Sequence, residues 1–101
     1  MLPPAAASDD FVGKVHNIEQ SLDDVVNHGS DDELFVASYL QGHFAVISKQ
    51  LEMQADATLD KLDAAMQDSL DAAFANRELE PDDQQAVAAL WARLRATNTE
   101  Q

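Results

Sequence analysis

The sequence predicts an all-α protein, an antiparallel four-helix bundle or a compact four-helix globule. Three observations carry that reading. Apolar residues recur at steps of three and four through four successive segments, no segment alternates with period two, and only three glycines occur in 101 residues. A chain of that length holds one domain. Residues 8–96 read as that domain, residues 1–7 as a disordered N-terminal tail and residues 97–101 as a frayed C-terminal tail.

The first helix spans about residues 9–28. Ser8 is its N-cap, and Asp9 and Asp10 sit in the positive first turn. Phe11, Val15, Ile18, Leu22 and Val25 follow at spacings of 4, 3, 4 and 3, one face of an amphipathic helix. Gly29, after His28, is the expected stop.

The second helix, about residues 31–53, opens on a capping box. Ser30 caps the Glu33 amide, and the Glu33 carboxylate reaches back to the Ser30 amide. The Gly29–Ser30 turn is short enough to fold this helix back on the first. Leu40, Phe44, Ile47 and Leu51 form its main stripe, with Val36 and Ala37 beside it. Phe35, Tyr39 and Val46, with Gly42 between them, form a second apolar strip on the far side. The arc of Ser38, Gln41, Ser48, Lys49 and Glu52 is polar. A helix apolar over most of its circumference is expected to be central.

A short connection leads to the third helix, capped by Asp56 or Thr58. Leu59, Leu62, Met66, Leu70 and Ala73 form its stripe, Phe74 lies beside them, and Asp60, Asp63, Asp68 and Asp71 are expected on solvent faces to about Asn76. Pro81 suits the first position of a fourth helix. Asp82 and Asp83 complement its start, Arg93 and Arg95 its end, and Val87, Leu90, Trp91 and Leu94 face inward.

Composition narrows the function. Six Lys and Arg against 19 Asp and Glu leave a net charge of −13. The six cations are scattered, which argues against nucleic acid and anionic membrane surfaces as partners. Without cysteine there are no disulfides and no thiolate metal sites, a pattern that favours a reducing compartment. No signal-like segment or apolar run of about 20 residues is seen, so the expectation is a soluble cytoplasmic protein.

Catalytic constellations are missing. There is no Gly-x-Ser-x-Gly elbow, no glycine-rich phosphate loop, no His-Glu-x-x-His and no Glu-x-x-His, so neither an enzyme nor a resident cofactor is expected. Asp68-Ser69-Leu70 matches the attachment motif of acyl carrier proteins. It falls inside the third helical stripe rather than after a loop, and the carrier reading is disfavoured.

Two histidines remain. His28 lies four residues after Asp24 and suits a helix C-terminus. His43 is an i, i+4 neighbour of Tyr39 and reads either as a hydrogen-bonded structural residue or as a ligand contact. Gly42, costly in mid-helix, implies close approach of another helix or of a partner. The favoured reading is a protein–protein interaction or self-association face made of Phe35, Tyr39, Gly42, His43 and Val46. The alternative is a small-ligand or metal-binding protein using His43 or His28. An acidic decoy for basic proteins is a third, and it needs a one-sided array of carboxylates.

Two blocks carry a family resemblance. His28, Ser30-Asp31-Asp32-Glu33-Leu34-Phe35, Tyr39-Leu40 and Gly42-His43 form the first, and Glu78-Leu79, Pro81, Asp83-Gln84, Val87 and Trp91 the second. In order and spacing they resemble the YfcL family of small bacterial proteins. Glu80 departs from the serine-like cap of that pattern. The resemblance implies a small cytoplasmic helical protein and no particular activity.

Overall fold

The computed structural model describes residues 6–99. Within them four helices follow in order: α1 (Asp9–His28), α2 (Asp31–Glu52), α3 (Leu59–Ala75) and α4 (Pro81–Thr99), with no strand among the described residues. α2 packs against all three other helices, the central role its apolar circumference predicts. α1 and α3 each also pack on α4, closing the four-helix globule around one core.

Side-chain caps set the helix starts. Ser8 Oγ accepts the Phe11 amide at 3.2 Å, and Thr58, not Asp56, caps α3 by accepting the Lys61 amide at 3.2 Å. Asp56 instead pairs with Lys61 Nζ at 2.6 Å, which lowers its carboxyl from the ordinary value. At α2 the capping box is complete: Ser30 Oγ accepts the Glu33 amide at 3.3 Å and Glu33 Oε1 accepts the Ser30 amide at 3.0 Å. The Ser30 amide first, and then the Ser30 hydroxyl, hold the Glu33 carboxyl below the usual carboxylate range.

The helix ends differ from expectation. Gly29 does not adopt a left-handed conformation; its φ is −81°. Its small size matters instead, because a Cβ there would lie 2.6 Å from the Val25 carbonyl oxygen and 2.9 Å from Glu33 Cβ. The left-handed residue is Arg77, φ 58°, just past α3. The Arg77 amide donates to Phe74 O at 3.0 Å and the Glu78 amide to Ala73 O at 3.4 Å, a Schellman closure built without glycine. α4 continues to Thr99, and residues 100–101 of the expected C-terminal tail lie outside the described residues. Arg95 therefore lies before the last turn, and its partners are Asp60 at 3.1 Å and Asp63 at 3.4 Å.

The core is drawn from all four helices and their connections. Phe11, Ile18, Leu22, Leu40, Phe44, Leu62, Met66, Leu70, Val87 and Trp91 are almost wholly buried. Ala7, Ala57 and Leu79, outside the helices, are buried with them. Ala7 also donates its amide to Glu52 O at 3.0 Å, so the chain is anchored one residue before the Ser8 boundary, and residues 1–5 of the expected tail lie outside the described residues.

Two expected assignments are corrected. Ser48 is not on a polar arc; it is 1% exposed, because it continues the spacing of Ala37, Leu40, Phe44 and Leu51. Ile47 and Phe74 are only partly buried. Asp63 does not simply face solvent: its Oδ1 accepts the Trp91 indole N–H at 2.8 Å, satisfying a donor that the core would otherwise strand.

Candidate functional site

The outer face of α2 is the site the sequence singles out. Among the described residues the large apolar side chains left exposed are Leu34 (40%), Phe35 (49%), Val46 (58%) and Met53 (62%). All belong to α2 or its C-cap. The chain's own helices therefore do not cover Phe35 and Val46. Met53 extends the strip at its C-terminal end, whereas Leu34 lies about 100° round the helix from Phe35; neither is singled out by the sequence reading, and the spacing of Phe35, Tyr39, Gly42, Val46 and Met53, at 4, 3, 4 and 7, is the signal that finds Met53.

Gly42 is exposed, and a Cβ on it would meet nothing within 4 Å. The expectation that another helix of the bundle needs this gap is overturned. The core of α2 lies on the opposite side, through Leu40 and Phe44.

Tyr39 and His43 are partly buried and tied into the fold. Their rings stack at a tilt of 43° with centroids 4.9 Å apart. Tyr39 Oη donates to Glu78 Oε1 at 2.8 Å, joining α2 to the α3–α4 connection that the Schellman closure shapes. Burial first, then the Glu78 carboxylate, pushes the Tyr39 phenol up to about 12. His43 Nδ1 shares a 2.8 Å hydrogen bond with Ser69 Oγ of α3. Ser38, Tyr39, Gly42, His43, Val46, Ile47 and Ser69 line one open depression of about 480 Å³.

Sequence reasoning missed Glu78 as the Tyr39 partner and Ser69 as the His43 partner. Neither is local: they lie 39 and 26 residues away. Ser69 sits well inside α3, with its hydroxyl engaged by His43, so Asp68-Ser69-Leu70 lacks the loop-to-helix setting of a carrier serine.

His28, the last residue of α1, is exposed and shares a shallow depression with Asp24, Gly29 and Glu33. Among the described residues no group of three or more His, Asp or Glu side chains is placed to hold a metal ion. A second cleft, about 340 Å³, opens between α1, α2 and α4 against Val25, Val36, Ala86, Ala89 and Leu90, with Asp32, Glu33 and Arg93 also lining it. The small side chains of Ala86 and Ala89, three residues apart on an exposed side of α4, are its sequence signal. No helix is long and apolar enough to cross a membrane among the described residues.

Comparison with known proteins places these features in a lineage. A family model described as YfcL protein matches residues 13–96, a span that includes the whole outer face of α2. A relative from Escherichia coli (strain K12), named Uncharacterized protein YfcL, is 37% identical over 73 residues, covering 72% of this chain and 79% of that protein. No solved structure matches the chain at a significant level.

Proposed function

The chain belongs to the YfcL family, and we propose that it acts as a non-enzymatic protein–protein interaction module through the outer face of α2. The observation that carries this reading is that the large apolar side chains left exposed among the described residues all lie on α2 or its C-cap, with Phe35, Val46 and Met53 in one register. Scattered apolar residues need no explanation, whereas a contiguous patch rimmed by polar groups marks a contact surface. The patch is also held still, because Tyr39–Glu78 and His43–Ser69 tie its middle to α3 and the connection after it. A rigid face loses less entropy on binding.

Affinity capture with the tagged full chain from its own cells tests the proposal. Wild type retains a protein, a second untagged copy included, that Val46→Glu loses, and Tyr39 and His43 substitutions weaken its retention. Identical capture by wild type and Val46→Glu sinks the reading.

A second reading rests on the His43–Ser69 pair in its open depression, which offers polar groups on an apolar wall to a small ligand. A ligand bound only by the folded chain raises the unfolding temperature. Metals and small anions screened by thermal unfolding test it, with His43→Ala as the variant in which any rise disappears.

A further inference from the structure

Resting on the reading that the outer face of α2 is a contact surface, we infer that its occupant is a second copy of this chain. The two copies meet through an antiparallel crossing of their α2 helices about a two-fold axis at Gly42.

The geometry of the strip is self-complementary. At about 100° per residue, Asp31, Phe35, Tyr39, Gly42, Val46, Lys49 and Met53 fall within an arc of about 80°. Leu40 and Phe44 project from the opposite side into the core. Gly42 lies beside the midpoint of the helix, which runs Asp31–Glu52. A two-fold axis there sets glycine against glycine and lets the helix backbones approach closely. Nothing among the described residues uses that space, since a Cβ on Gly42 meets no atom within 4 Å. A glycine in mid-helix costs helix stability, and a crossing point gives it a reason.

Charge selects the occupant and its direction. The chain carries −13, yet residues 34–48 contain no Asp, Glu, Lys or Arg. The carboxylate nearest the middle of the strip, Glu78, is engaged by the Tyr39 hydroxyl at 2.8 Å, so a basic partner finds little there to pair with and a second copy meets little repulsion. The two ends of the arc differ in sign: Asp31 at the start and Lys49, its side chain 75% exposed and 4.0 Å from the Glu52 carboxylate beside the arc, near the end. Antiparallel pairing brings Lys49 of each copy toward Asp31 of the other and sets the helix dipoles in opposition. Parallel pairing would place Asp31 on Asp31 and Lys49 on Lys49.

The size of the surface sets the strength. A helix of 22 residues is about 33 Å long and about 12 Å across with its side chains, so an arc of about 80° offers about 280 Å² per copy. Stable interfaces use about 800 Å² per partner. The pair is therefore weak and concentration-dependent. Repulsion between two acidic bodies opposes it, and salt strengthens it by screening that repulsion.

Sedimentation velocity of the full chain from about 5 to 500 µM, at about 50 and 500 mM salt, reads the association directly. The expected result is a dimer fraction that rises with concentration and rises again with salt. Val46→Glu and Gly42→Gln each weaken the dimer at least ~10-fold. Gly42→Gln also raises the unfolding temperature of the dilute monomer, since glutamine is the better helix former, so loss of the dimer is not loss of fold.

The chain has no cysteine, which makes single-thiol variants clean. Gly42→Cys crosslinks across the axis at least ~10-fold faster than Gly13→Cys, an exposed position on α1, because disulfides need close Cα atoms. A monomer at every concentration and salt overturns the inference, as does a dimer indifferent to both variants or equal crosslinking at the two positions. A monomeric chain that captures a different protein, lost in Val46→Glu, overturns self-association and leaves the contact face standing. A monomeric chain whose capture Val46→Glu does not change overturns both.

Discussion

The two faces of α2 have opposite fates although both are apolar. On the inner side Ala37, Leu40 and Phe44 are at most 1% exposed, and the Phe44 ring lies 5.9 Å from that of Trp91. On the outer side Phe35 and Val46 remain about half exposed and Gly42 has open space in front of it. Three neighbouring helices can surround only part of a fourth, so apolar character around most of a helix exceeds what this fold can bury. The excess is what stays exposed as the outer strip.

Breaking the inner face gives the largest effect. Phe44→Ala is expected to destabilise the fold by about 3–5 kcal/mol, from lost burial and the cavity left behind. Chemical denaturation measures it. Next comes Gly42→Ala, which is expected to stabilise the dilute chain by about 1 kcal/mol, because the new methyl meets no neighbour and helix propensity improves. A destabilising result would mean that the space before Gly42 is filled within the monomer. Phe35→Ser, on the outer side, is expected to change stability by no more than about 0.5 kcal/mol, as for surface positions generally. A loss comparable to that of Phe44→Ala would erase the distinction between the faces.

The finest probe is the hinge between them, Tyr39, the only tyrosine in the chain. Its phenol is raised from 10.0 to about 12. A raised folded-state value favours the protonated form. Its stabilising contribution is complete below pH 10 and is lost as the pH rises through about 12. Ultraviolet titration of the single phenol is expected to show this displaced midpoint, and Glu78→Gln to move it back toward 10, since the hydrogen-bonding carboxylate is one of its causes. A wild-type midpoint at the ordinary value would show that Tyr39 is not seated against Glu78.

Local rules made most of the fold legible. Ser8, Ser30 and Thr58 lie three residues before the amides they cap, a distance the sequence displays directly. The stripe of α1 is buried at Phe11, Val15, Ile18 and Leu22, as its spacing requires, while Val25 at its end is only partly buried. The candidate site was legible in its helical register and not in its anchoring. Tyr39 and His43 are visibly neighbours one turn apart, but Glu78 and Ser69 reach them only after α3 packs on α2. Ser48 and Asp63 were misplaced for a related reason. Polarity predicts exposure on average, whereas a small hydroxyl fits a tight interface and a carboxylate beside Trp91 is retained to accept its N–H.

The sequence by itself determined four helices, their caps and the existence of two apolar strips on α2, because backbone periodicity and capping act within a few residues. Only the tertiary structure decided which strip is core and which is surface. That choice depends on how many neighbours can pack around one helix, and on where α3 and α4 close against it. The same closure left Gly42 facing open space among the described residues.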